Sequence, residues 1–212
     1  MGYGPAWGTP LRIVLIVEGR TEEVFLSALK RFLWSRLPPA GEKPRIEASR
    51  QDGLIPTGPK LKRIVDRHLS GGANAVIALT DVNPVFTDAT DAKDKMRLWV
   101  GDERRFHPRA AQHDFEAWLL PYWDEIKKIT GCSRNAPAGN PESVNHHSPP
   151  SERVREAFRT GAKTKNRRSY VKTRDAARIL DGKDLSVAAD ECDELKALLN
   201  TILGLCGAPR IA

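Results

Sequence analysis

Two short runs constrain the fold of this chain more than any other feature. Leu11-Arg12-Ile13-Val14-Leu15-Ile16-Val17 and Ala75-Val76-Ile77-Ala78-Leu79-Thr80 are almost continuously apolar and rich in β-branched residues, and each stops at an acid, Glu18 and Asp81. Runs of this length and composition read as strands covered on both faces, the pattern of a parallel sheet rather than of a half-exposed antiparallel one. Helical periodicities lie between and beside them. Thr21 is placed to cap a helix with Glu22 and Glu23 in its first turn, and Val24, Phe25, Ala28, Leu29, Phe32 and Leu33 repeat at helical spacing until Pro38-Pro39. Leu61, Ile64, Val65 and Leu69 mark a second helix, closed by Gly71-Gly72. Arg45 to Ser49 reads as a weaker strand. His107 to Gln112 reads as a strand that Pro108 confines to a sheet edge.

Further along, a helix is expected between Lys93 and Arg104. Asp114 is expected to cap a segment bearing Phe115, Trp118, Leu119, Tyr122, Ile126 and Ile129 on one side, with Pro121 kinking it or starting a second helix. Ser133 to Pro150 is dense in Asn, Pro and Ser and reads as a loop. Short helices follow, and a last helix carries Leu195, Leu198, Leu199, Ile202 and Leu203. Strands alternating with helices predict an α/β fold, a mostly parallel sheet flanked by helices. The expected division is an α/β core over 1–130 and a helical, loop-rich and basic C-terminal extension over 131–212 packed on it.

Composition narrows the setting. The chain has 212 residues, 40% of them hydrophobic and 29% charged, enough to bury a core and unlike a disordered chain. No apolar run approaches the roughly 20 residues of a membrane helix. Leu11 to Val17 lacks a basic leader and runs into acids, unlike a signal peptide, and Ala6 breaks the myristoylation pattern opened by Met1-Gly2. Cys132, Cys192 and Cys206 form no close pair and leave one over, which points to a reduced cytoplasm.

The net charge is +7, and nine Lys or Arg against two acids between Ser151 and Arg174 account for all of it. No acid interrupts Arg159 to Arg174. Lys163, Lys165, Arg167, Arg168, Lys172 and Arg174 are therefore the candidates for attracting a phosphate backbone, with Tyr170 as an aromatic face. The alternative is a solvated basic loop without a role.

In open α/β sheets ligands bind beyond the carboxyl ends of the strands, where Glu18 and Asp81 fall. Two acids at neighbouring strand ends repel each other, and a hard divalent cation between them relieves the repulsion and suits phosphate chemistry. The alternative is ordinary: strand-end acids often cap the next helix. Glu22 divides in the same way between a further ligand and an acid complementing the helix dipole. His146-His147 lack Cys or acidic partners at zinc spacing. Gly53 to Lys60 fails as a phosphate loop, because Pro59 separates Gly58 from Lys60 and no Ser or Thr follows. Trp118 and Trp123 read as core or partner surface.

Val17-Glu18-Gly19-Arg20-Thr21-Glu22-Glu23 with Leu79-Thr80-Asp81 resembles the motifs of the Toprim domain of topoisomerases, bacterial primases and overcoming-lysogenization-defect (OLD) nucleases. The resemblance implies a Toprim-like fold in which Glu18 is a metal ligand or general acid/base and Asp81 binds Mg²⁺. The third motif position, an acid in that domain, is Asn83 here, which brings an amide oxygen without charge. Gln112-His113-Asp114-Phe115-Glu116-Ala117-Trp118-Leu119 is similar to a stretch of a bacterial Toprim-like family, domain of unknown function 4276. Tyr170-Val171-Lys172 and the region of Cys192 extend that likeness from about Leu11 to Leu203. It implies an ATPase partner, in arrangements like those of phage-defence systems.

The resulting expectation is Mg²⁺- or Mn²⁺-assisted phosphodiester hydrolysis on DNA or RNA. Glu18 and Asp81 hold metal, Glu116, Asn83 and Glu22 are further ligand candidates, and Arg20 stabilises charge on the phosphate. The carboxylates of Glu18, Asp81 and Glu116 should then converge. The rival is a degenerate, non-catalytic Toprim module that binds nucleic acid or an ATPase. Asn83 favours the rival, and the three acids favour the enzyme.

Overall fold

A computed structural model describes residues 10–39, 41–143, 148–163 and 169–212. Four strands, β1 (Arg12–Val17), β2 (Arg45–Arg50), β3 (Ala75–Asp81) and β4 (Phe106–Ala111), form one sheet in the order β2-β1-β3-β4, and every neighbouring pair is parallel. The two apolar runs are the central strands, paired from Ile13↔Ala75 to Val17↔Leu79. Their side chains divide by alternation. Ile13, Leu15, Val17, Ile77 and Leu79 enter one buried cluster, and Val14, Ile16, Val76 and Ala78 the other. A sheet buried on both faces is why these runs show no polar alternation.

Crossover handedness assigns the helices. From β1 the chain steps outward through α1 (Arg20–Arg36) to β2. It then returns past β1 through α2 (Gly58–Ser70) to β3, and continues through α3 (Ala89–Val100) to β4. Right-handed crossovers in opposite directions put α1 on one face and α2 and α3 on the other. The buried clusters agree: Phe25, Leu29 and Leu33 lie in the first, and Leu61, Val65, Met96 and Val100 in the second. The order reverses between β1 and β3, so the crevice for a ligand opens where Glu18 and Asp81 lie.

Several boundaries differ from the sequence reading. Helix α1 begins at Arg20, so Thr21 is a buried first-turn residue and not the cap. Helix α3 starts at Ala89 because the Asp88 carboxylate accepts the Asp91 N–H at 2.8 Å. Phe115–Tyr122 is a 3₁₀ helix with every residue but Pro121 buried, and the α-helix α4 (Trp123–Thr130) starts only after Pro121. Pro108 lies on the edge strand, opposite Ala78.

The rest comprises a short 3₁₀ turn (Pro141–Ser143), α5 (Pro150–Thr160), α6 (Lys172–Ile179), α7 (Leu185–Ala189) and α8 (Asp193–Leu205). Phe158, Ile179, Leu185 and Leu199 from this region share one buried cluster with Phe25 and Trp118. The Arg31 guanidinium on α1 donates to the Leu180 carbonyl at 2.9 Å. No described helix is long and apolar enough to cross a membrane.

Candidate functional site

The site is built at the carboxyl edge of the sheet. Register Val17↔Leu79 sets Glu18 beside Thr80, and the Thr80 hydroxyl donates to Glu18 Oε1. Thr80 is itself buried at the end of β3, so Glu18 is tied to the residue that immediately precedes Asp81.

The next two acids follow β4. Val82 N–H donates to the Ala111 carbonyl at 3.1 Å and Asn83 N–H to the His113 carbonyl at 3.0 Å. The β3–β4 pairing thus continues past both strands and lays Asp81-Val82-Asn83 alongside Ala111-Gln112-His113. His113 is buried with φ of 68°, in the left-handed region that non-glycine residues seldom take. Asp114 follows in extended conformation and does not cap the 3₁₀ helix with its side chain. Its Oδ2 accepts instead from Ser151 N–H, in the first turn of α5, at 3.2 Å. Its Oδ1 is buried without a hydrogen-bond partner among the described residues.

Glu116, 0% exposed, lies under two donors from the far end of the chain. The Tyr170 hydroxyl donates to Oε1 at 3.2 Å and the Lys172 ammonium to Oε2 at 3.1 Å. The Tyr170 ring packs on the buried ring of Phe158 with centroids 5.3 Å apart. The turn carrying both donors is held in place by Asp175, itself 0% exposed. Asp175 accepts from Val171 N–H at 2.8 Å and from two nitrogens of Arg174 at 2.8 and 2.7 Å.

Charge in this cluster is unbalanced. Burial works against the Lys172 ammonium, but Glu116, Asp81 and Asp114 outweigh it and hold its pKa above that of an ordinary lysine. Burial, only partly offset by Lys172, pushes the Glu116 carboxyl up, and Asp114 adds to the rise. Burial likewise pushes Asp114 up against its bonds from Ser151. The Lys172 ammonium bonds Glu116 and also feels the charges of Asp81 and Asp114.

The sequence candidates therefore separate. Glu18 and Asp81 are neighbours, as the strand ends required. Glu116 reaches the same region through Lys172, which also feels Asp81. Among the described residues no three His, Cys, Asp or Glu side chains gather closely enough to enclose a metal ion, so the expected tight convergence of Glu18, Asp81 and Glu116 is not seen. Asn83 is fixed by its backbone to β4. Arg20 opens α1 at the surface, and the side chain of Glu22 lies outside the described portion.

The structure describes only part of the basic track. Lys172 and Arg174 are engaged with Glu116 and Asp175, and Lys163 donates to the Lys128 carbonyl at 3.2 Å. All three keep part of the side chain at the surface. Lys165, Arg167, Arg168, His146 and His147 lie outside the described residues. Sequence reasoning missed Lys172 and Tyr170 as partners of Glu116. Tyr170-Val171-Lys172 was visible as a motif, but its partner lies more than fifty positions away.

Fold and site together define a class: an all-parallel α/β protein with an acidic, lysine-bridged cluster at the switch point of its sheet. Within that class the chain belongs to the family described as domain of unknown function (DUF4276), whose model matches residues 17–203. Among solved structures, the chain is similar to the C-terminal region of the Burkholderia pseudomallei OLD protein. That match has a TM-score of 0.46 and 14% sequence identity, and covers 90% of this chain and 100% of the other. No curated protein matches it.

Proposed function

We propose that this chain is a Toprim-like nuclease that hydrolyses phosphodiester bonds of nucleic acid with the help of Mg²⁺ or Mn²⁺. The observation that carries the reading is the placement of Glu18 and Asp81 at the two central strand ends, with Glu18 tied to Thr80, beside a cluster whose acids outnumber its cation. The donors fit such an ion. All are hard carboxylate oxygens, and one of them, Asp114 Oδ1, is buried without a partner. Two carboxylates are enough for Mg²⁺, which is usually held by one or two of them and keeps water and substrate phosphate as its other ligands.

Glu18 and Asp81 would hold the ion, with Asn83 beside them. When bound, it polarises the phosphate and acidifies a water. Lys172 presents a fixed ammonium to the negative charge that grows on the phosphate oxygens, and its bond to Glu116 keeps it in place before substrate arrives. Arg20, at the exposed N-terminus of α1, adds a second cation in reach of an incoming backbone. The basic residues Lys165, Arg167 and Arg168 would bring the polymer to the site. An ATPase partner and a role in phage defence rest on the sequence resemblance, and co-purification of the chain with its genomic neighbours tests them.

Cleavage assays on single- and double-stranded DNA and RNA, with Mg²⁺ or Mn²⁺, test the chemistry. Wild type should cut at least one of these, and Glu18→Gln and Asp81→Asn should each abolish cutting without lowering the melting temperature. Full activity in either variant defeats the mechanism. Salt-sensitive binding by wild type without cleavage under any metal would instead establish the non-catalytic module, the reading that Asn83 favours.

A further inference from the structure

The sequence leaves one charge unaccounted for. Asn83 stands where the resemblance calls for an acid, and Glu116 is the obvious substitute two residues past the β4 turn. The structure points elsewhere. Both oxygens of Glu116 already accept hydrogen bonds, one from Tyr170 and one from Lys172. Asp114 is arranged differently: Oδ2 takes the Ser151 N–H, while Oδ1 has no partner among the described residues, although the residue is only 8% exposed. A buried polar oxygen left without a partner is costly.

Position supports the same residue. The Asn83 N–H bond to the His113 carbonyl fixes Asn83 against the residue immediately before Asp114. Asp81 opens the segment Asp81-Val82-Asn83, and Asp114 directly follows Ala111-Gln112-His113, the segment paired with it.

We propose that Asp114 supplies the carboxylate that Asn83 lacks, its unpartnered Oδ1 joining Asp81 as a ligand for a hard divalent cation, while Glu116 anchors Tyr170 and Lys172. The inference rests on the metal-assisted reading above, and it reverses the sequence expectation of Asp114 as a helix cap and Glu116, by resemblance, as the ligand.

Mn²⁺ binding to the full-length protein, followed by loss of the free-ion electron paramagnetic resonance signal, tests it without any assay of activity. Asp114→Asn keeps an oxygen acceptor for Ser151 N–H, so the fold should survive, and thermal melting checks that it does. The variant should lose about tenfold in Mn²⁺ affinity, because ligand charge tunes such sites. Glu116→Gln should lose much less. The double variant Asp114→Asn with Asn83→Asp should regain most of the affinity, since it restores the charge on the neighbouring strand. Asn83→Asp alone should bind more tightly than wild type, which keeps the test open if Asp114→Asn fails to fold. Wild-type affinity in Asp114→Asn, or a loss in Glu116→Gln as large as that in Asp114→Asn, overturns the assignment. If Asp81→Asn loses Mn²⁺ while Asp114→Asn does not, only this inference falls. If wild type binds no Mn²⁺, the metal-assisted function falls with it.

Discussion

Lys172 and Glu116 form a pair in which one member is wholly buried and the other 41% exposed at its side chain. Removing one partner of a fully buried pair typically costs ~3–5 kcal/mol, because the remaining charge is stranded. Exposure of the ammonium reduces that, and Lys172→Met should cost about 2 kcal/mol. The double variant Lys172→Met with Glu116→Gln leaves no stranded charge and should be more stable than Lys172→Met alone. Urea denaturation measures both, and a Lys172→Met chain as stable as wild type would show that the pair does not hold the turn. Tyr170→Phe removes one neutral donor and should cost ~1 kcal/mol by the same measurement. None of these partnerships was legible in the sequence. Glu18 and Asp81 were, because each ends an unbroken apolar run. The difference between Asp114 and Glu116 depends on Ser151, Tyr170 and Lys172, which only the packing of α5 and α6 brings near.

At the scale of elements, the same buried-acid chemistry fixes the last helix. Glu142, in the 3₁₀ turn Pro141–Ser143, accepts the Trp118 indole N–H at 3.1 Å and the Glu194 N–H, in the first turn of α8, at 3.0 Å to Oε2. A carboxylate at a helix N-terminus is favoured by the helix dipole, and this one also ties α8 to the 3₁₀ helix below it. Glu142→Ala leaves two buried donors without acceptors and should cost about 2–4 kcal/mol. For a chain of this size that is a fall in melting temperature of roughly 5–15 °C. Burial holds the Glu142 carboxyl above its usual 4.5, against the bonds from Glu194 and Trp118. The folded state therefore takes up the proton more readily than the unfolded one. The stabilisation is complete below about 4.5 and is lost as pH rises through the folded value. Wild type should thus lose stability relative to Glu142→Gln between pH 4 and neutrality, and an identical pH slope in the two proteins would refute this. Elements were legible where pattern matched environment. Strands β1 and β3 were bounded to within a residue because both faces are buried. The start of α3 was missed because a single side-chain cap at Asp88, not periodicity, decides it. The 3₁₀ helix reads as an amphipathic one in the sequence, and because nearly all of its residues are buried its apolar positions carry no information about period.

For the whole molecule the question is what the surplus of positive charge does. The net +7 sits in one stretch, yet Lys172 and Arg174 are turned inward to Glu116 and Asp175. A test of the stretch as a polyanion contact therefore falls on Lys165, Arg167 and Arg168. If these contact a backbone, each contact releases condensed counterions. The logarithm of affinity should then fall against the logarithm of salt with a slope of about −0.9 per phosphate on duplex DNA and about −0.7 on single strands. Reversing the three to Glu should weaken binding to every sequence alike and flatten that slope, since backbone contacts carry no base identity. Melting temperature should hold if the three act on the polymer alone. Lys172→Glu makes the contrast. It places a like charge against a buried Glu116, so it should lower the melting temperature as well as weaken binding, whereas the triple reversal should weaken binding alone. Fluorescence anisotropy across a salt series, with melting curves on the same proteins, separates the two behaviours. Unchanged affinity and slope in the triple reversal would mean that the basic stretch is a solvated loop, and that nucleic acid, if bound, is held by the switch-point site alone.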